Sequence, residues 1–319
     1  MRVDSASRSF FALLAVALGP YLVLGMFACG SLSVAAYELV AGDDTAVAAG
    51  AMGWVAVGFL AIAGIGVLAA LRSLWQQSAA TRRLAAHVLT HRREVPARVA
   101  DAAARNRISR IELVASDQPY AFTYGLLAPR VVISTGLLTA TTAKELDAVL
   151  AHERYHVATL DPLKTLIARV IPAAFFFLPA LRHLGRRYFA GRELAADRRA
   201  ARRSGTASLA GALYKTAGSA SPRLVASAAA MGGNDLLDVR ITQPEAGHEP
   251  SLPTVPHRIM AITGAGLALS AIGIVATIAA ADTGAAQPGV AGEVLGAAVC
   301  AAAWLVGAAF VYGHLAARR

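Results

Sequence analysis

Cysteine and charge are both scarce in this chain. Two cysteines, Cys29 and Cys300, stand in 319 residues, which excludes a disulfide framework and a thiolate zinc ribbon. Both lie within apolar runs and read as small apolar residues. Charged residues make up 16% of the sequence and aromatics 7%, against 56% hydrophobic. With a mean hydropathy of +0.52, that balance excludes an ordinary water-facing globular surface along the whole length. No internal repeat is present, and no low-complexity domain beyond an enrichment in alanine.

What the chain does contain is long apolar runs, at 10–38, 51–71, 259–281 and 291–314. Each is long enough for a hydrocarbon layer about 30 Å thick. The first is overlong and holds Pro20, which predicts a tilt or kink. Arg2 and Arg8 before it, and the small residues around Val34 to Ala36, leave a signal peptide as the alternative. The expected fold class is thus an α-helical membrane protein of about four transmembrane helices. Residues 1–71 and 259–319 would each hold two, and a domain inserted at 72–258 would lie between them. The runs carry almost no ionisable residues away from their ends, Glu38 and Glu293 lying close to the outer face, which argues against a transporter.

Basic residues set the expected orientation. Of 30 Lys and Arg, 26 fall between residues 72 and 258, and the rest are Arg2, Arg8, Arg318 and Arg319. The short loops at 41–50 and 282–288 have none and carry Asp43, Asp44 and Asp282. Both termini and the central domain are therefore expected on the cytoplasmic face of a multi-pass cell-membrane protein. Contact with the lipid bilayer accounts for the pI near 10.2, and direct nucleic-acid binding is not expected.

Five consecutive residues carry the chemistry. His152, Glu153, Arg154, Tyr155 and His156 place two imidazoles one helical turn apart with a carboxylate between them, the minimal set for holding zinc and activating a water on it. Thr142 and Glu145 form a capping-box pattern, and no Gly or Pro interrupts 143–158, which predicts a helix there. Leu146, Val149, Leu150, Val157 and Leu160 make its apolar stripe, with Glu153 in the middle and the histidines on its margin. A carboxylate on a core-facing stripe is costly unless compensated, and a divalent cation with its water would compensate it.

A third ligand is offered by Glu193, and Asp197, four residues on, shares its face. The bases Arg192, Arg198, Arg199, Arg202 and Arg203 fall on the other side of the same helix, so zinc would supply the charge Glu193 lacks. Asp197 would accept the free ring N–H of a zinc histidine. His183 and Tyr188 are candidate oxyanion donors, with interfacial packing as the plainer reading. Asp161 before Pro162 reads as a helix cap rather than a catalytic acid. His87 and His91 are also one turn apart, but no carboxylate accompanies them.

The motif followed by Glu-x-x-x-Asp is similar to the gluzincin metallopeptidases. Together with Pro119 to Gly125, Pro129 to Gly136 and Glu145 to His152, it resembles the BlaR/MecR-type antibiotic-sensor metallopeptidases, with HtpX-like and CAAX prenyl-protein proteases sharing much of the pattern. The resemblance covers 110–205 in detail and implies an α+β gluzincin-like metalloprotease domain with one Zn2+. His152, His156 and Glu193 would be the ligands and Glu153 the general base. It implies a protein or peptide substrate paired along a strand at 131–134, and regulatory cleavage of a cytoplasmic transcriptional repressor or of the protein itself. BlaR-type sensors carry an extracellular penicillin-binding domain after the last span; no such domain is expected in this chain, so a β-lactam input is not implied. A membrane-protein quality-control protease and a non-catalytic zinc scaffold are the alternatives.

The rest is coarser. Residues 76–104 read as an amphipathic helix broken near Pro96, and 111–115, 120–124 and 131–134 as short strands. The apolar stretch 163–184 holds Arg169, Pro172 and Pro179 and is expected as an in-plane or re-entrant helix pair. A fifth crossing there would part Glu193 from the histidines. Residues 242–257 read as a flexible tether.

Overall fold

The computed structural model describes residues 5–19, 50–217, 255–265 and 268. Helix α1 covers 5–19, α2 Gly50–Thr90, α3 Ala97–Arg105, α4 Thr135–Ala140, α5 Ala143–Ala158, α6 Asp161–Ala174, α7 Pro179–Ser204, α8 Thr206–Ala217 and α9 257–265. Strands are β1 Arg92–Arg93, β2 Ile111–Val114, β3 Ala121–Tyr124 and β4 Arg130–Ser134. The chain divides into two compact units. One comprises Met1–Phe10, Arg72–Val170 and Gly185–Thr254, the other Phe11–Leu71, Ile171–Leu184 and Val255–Arg319.

The first unit is built on a four-stranded sheet of order β1-β2-β4-β3. β2 and β4 run parallel, with Leu113 opposite Ile133. β3 is antiparallel to β4, with Thr123 opposite Val131. Because successive side chains alternate in direction, Val131 and Ile133 enter one face, where Leu113, Val99, Leu146 and Leu150 join them in a core with α3 and α5. Tyr120, Phe122 and Val132 enter the other, against Leu84 and Val88 of α2. On its far side α5 packs on α7 and α8 through Ala148, Ala151, Ala200, Leu209 and Leu213, the alanines allowing close helix approach.

α5 begins as its sequence dictates. The Thr142 hydroxyl accepts the Glu145 N–H at 3.3 Å and the Glu145 carboxylate accepts the Thr142 N–H at 2.7 Å, satisfying two donors that a helix start otherwise leaves open. The helix ends at Thr159, after which Leu160 takes a left-handed φ of 52° and its carbonyl accepts the first N–H groups of α6. The stretch 163–184 is two helices, α6 and the start of α7, separated at 175–178.

In the second unit, Gly66 of α2 lies where an added Cβ would stand 2.4 Å from the Ala174 carbonyl oxygen. The Ala180 N–H donates to the Thr263 hydroxyl of α9 at 3.3 Å.

Among the described residues no helix is long and apolar enough to cross a membrane. This overturns the expected α-helical membrane protein with about four transmembrane helices: what is described is mostly helix with one small sheet. The run at 51–71 does not stand alone as a span. It continues without a break into Arg72, Gln76, Gln77, Arg82 and Arg83 of the 41-residue α2. Of the other expected spans, 20–38, 266–267, 269–281 and all of 291–314 lie outside the described residues, as do both cysteines and the tether up to residue 254. The helix expected at 76–104 is also different: α2 stops at Thr90, β1 intervenes, and α3 starts after Pro96.

Candidate metal centre

Three elements bring their side chains to one point. α5 carries His152, Glu153 and His156 one turn apart, the start of α6 carries Asp161, and α7 carries Tyr188, Arg192, Glu193 and Asp197. One ligand atom each from His152, His156 and Glu193 lies within 4.8 Å of the others. The two Nε2 atoms are 3.0 Å apart. Glu193 places Oε2 3.6 Å from His152 Nε2 and Oε1 3.9 Å from His156 Nε2.

Each imidazole is held from behind. His152 Nδ1 donates to Asp197 Oδ1 at 2.9 Å, and Asp197 is fully buried. His156 Nδ1 donates to the buried Asp161, whose other oxygen accepts the Tyr188 hydroxyl at 2.7 Å. With Nδ1 of each ring committed to a carboxylate, Nε2 of each is the atom turned inward, the one a metal would take on releasing its proton. Glu153 is buried beside them and accepts a hydrogen bond from Thr123 of β3.

The electrostatics follow from burial among charges. Burial alone would lower the His152 pKa, but its hydrogen bonds to Asp197 and Glu193 outweigh that and push it up to about 10. Burial would raise Asp161, yet the facing His156, Arg192 and Tyr188 hold it below the usual carboxylate range. Arg192 is buried, which disfavours its charge, but Glu193 and Asp161 keep it more firmly protonated than usual.

Without a cation, a proton on His152, favoured by its hydrogen bonds to Asp197 and Glu193, balances the converging carboxylates. A divalent cation can take that proton's place, and a set of two imidazoles and one carboxylate is a zinc donor set with room for a fourth ligand. The residues present fit such an ion.

The structure brings together His152, Glu153, His156, Glu193 and Asp197. It does not bring His183 or Tyr188 to the cavity wall, and the Tyr188 hydroxyl is spent on Asp161. Asp161 is not the cap of α6, a place taken by the Leu160 carbonyl; it orients His156 instead. Arg192 does not point away from the acids. It lies 3.2 Å from Glu193 Oε1 and donates to the Thr165 hydroxyl at 2.5 Å. Helical spacing set it on the far face, but a long side chain reaches round a helix. His87 and His91 lie with ring centroids 4.2 Å apart, tilted to each other, and belong to no metal-holding group among the described residues.

The centre opens into a cavity of about 500 Å³. Phe122, Val149, Leu209 and Leu213 give it an apolar wall, and Gln77, Thr81 and Arg82 of α2 a polar one. β3 lies on it as the sheet's edge strand, whereas β4, the strand expected to border the cleft, is interior.

Among curated proteins and solved structures, none matches the chain. A family profile does: BlaR1 peptidase M56 matches residues 34–243, a region that contains the whole centre. Members of that family are metallopeptidases. Since the match takes in the greater part of the sequence, the chain belongs to the BlaR1 peptidase M56 family and is a peptidase.

Proposed function

We propose that the protein is a zinc-dependent endopeptidase of regulatory proteolysis, acting on a transcriptional repressor or on itself. The convergence of His152, His156 and Glu193 beside a buried Glu153 carries the reading; the family match supports the peptidase chemistry and, through the resemblance to BlaR/MecR-type proteins, the regulatory role.

His152, His156 and Glu193 would hold the ion. Zinc, when bound, supplies a Lewis acid for the scissile carbonyl and lowers the pKa of a bound water to about 7. Glu153 takes a proton from the attacking water and delivers it to the leaving amine, so the base ends the cycle as it began. The free edge of β3 offers main-chain N–H and C=O groups to an extended peptide, as an added strand. Asp197 and Asp161 keep the rings in the required tautomer and strengthen them as ligands. The low dielectric of the buried centre strengthens each of these interactions.

Glu153→Gln retains stoichiometric zinc and abolishes cleavage of a protein substrate, while His152→Ala loses the metal. Unchanged proteolysis in the Glu153 variant overturns the mechanism.

A further inference from the structure

Among the described residues, one side chain hydrogen-bonds the Glu153 carboxylate: Thr123, whose Oγ1 lies 2.7 Å from Oε2. The same hydroxyl is 3.4 Å from the Glu153 main-chain carbonyl. It has one proton, and the shorter contact to the charged acceptor takes it.

The placement of this hydroxyl is unusual for its strand. Thr123 stands opposite Val131 on β3 and shares a face with Ala121. Its neighbours on that face, Val131, Ile133 and Leu113, are apolar and buried. Thr123 is half-buried where it lines the cavity, and its hydroxyl finds its partner in Glu153. Threonine is stiff about χ1, so the hydroxyl oxygen is held in a fixed place.

We infer that Thr123 is a positioning residue for Glu153; the inference rests on the proposed role of Glu153 as general base. The hydroxyl fixes one carboxylate oxygen, and the other would take the proton of the attacking water. A hydroxyl can also rotate to accept a hydrogen bond, so it serves Glu153 both as carboxylate and as carboxylic acid. Because Thr123 belongs to the edge strand along which the peptide pairs, base and substrate backbone are referred to one rigid element. Valine, of the same shape, can do neither.

The test uses the full-length protein with labelled casein as substrate. Thr123→Val lowers kcat about 10- to 100-fold with KM little changed and zinc retained, and Thr123→Ser restores kcat to within a few-fold of wild type. A Thr123→Val variant with wild-type kcat, or a Thr123→Ser variant as impaired as Thr123→Val, overturns the inference. A second measurement, on metal-free protein, is independent of turnover. Thr123→Val lowers Tm by about 2–4 °C when Glu153 is present and not in a Glu153→Leu background. Equal losses in both backgrounds mean that Thr123 is merely structural. If wild type cuts neither casein nor itself while this coupling is found, the endopeptidase reading fails and the Thr123–Glu153 pairing stands.

Discussion

His152 and His156 face each other through their Nε2 atoms at 3.0 Å, each ring tied by Nδ1 to a different buried carboxylate. The carboxylates come from separate helices, Asp197 from α7 and Asp161 from α6. The pair of rings is therefore aimed by two independent struts, and the affinity for a bound metal would depend on both. Asp161→Asn and Asp197→Asn are each expected to weaken zinc binding about 10- to 100-fold, since an amide neither fixes the same tautomer nor adds basicity to the ring. Competition against a chelating dye measures it. Wild-type affinity in either variant would mean that its ring is oriented by something else.

Zinc held this way should stabilise the folded chain by mass action. Stability rises by about 1.4 kcal/mol for each tenfold excess of free metal above Kd, so Tm climbs with the logarithm of zinc concentration and falls on chelation. Glu193→Ala, which removes the ligand from α7, moves the onset of that rise to higher zinc concentration. Thermal scans over a series of buffered zinc concentrations read both onsets, and the same onset in the two proteins would remove Glu193 from the site.

The helix bearing the histidines was legible because its signals are local: a capping box at Thr142 and Glu145, an unbroken run to Ala158, and two imidazoles four apart. The three strands β2, β3 and β4 were legible as β-branched and aromatic runs. Asp161 was not, because its reach back to His156 depends on Leu160 adopting a left-handed conformation that no glycine or asparagine announces. Thr123 was hidden for a different reason. A strand's sequence shows which residues share a face but not which helix will cover it. Arg192 was misplaced because angular spacing locates a Cα and says little about where a guanidinium ends. The expected spans followed from average hydropathy, and in α2 the apolar run passes directly into Arg72, Gln76 and Gln77.

Tyr124, at the end of β3, donates its hydroxyl at 2.7 Å to Glu112, a buried carboxylate that also accepts from Arg130 at 2.8 Å. Burial first, then the hydrogen bond to Glu112 and its charge, push the phenol up to about 12. A group whose folded pKa lies above its unfolded one contributes stability that is complete below the unfolded value, about 10 for tyrosine. That contribution is lost as pH rises through the window from about 10 to about 12. Tyr124→Phe should be less stable than wild type near neutral pH, and the difference should shrink across that window. Urea unfolding at a series of pH values tests the sign, and a gap that widens with pH would contradict it.

Gly136 and Gly211 test whether packing or propensity decides a helical glycine. Both lie in helices, α4 and α8, where alanine is intrinsically better by about 1 kcal/mol. At Gly136 an added Cβ would sit 2.2 Å from the Asp117 carbonyl oxygen. That oxygen belongs to a loop pinned by the Gly136 N–H itself, which donates to Ser116 at 2.7 Å. Main chain so tied cannot retreat without losing the bond, so overpacking outweighs propensity and Gly136→Ala should destabilise by about 1–3 kcal/mol. At Gly211 the obstacle is Glu145 Oε1, 2.4 Å from the added carbon. It is the tip of a side chain whose other oxygen bonds Lys215 and the Thr142 N–H. A rotation about the carboxyl bond moves Oε1 and leaves those partners within reach, so Gly211→Ala should come out within about 0.5 kcal/mol of wild type. Urea midpoints at constant m-value distinguish the two; equal costs would mean that the main chain at Asp117 yields as readily as a carboxylate tip.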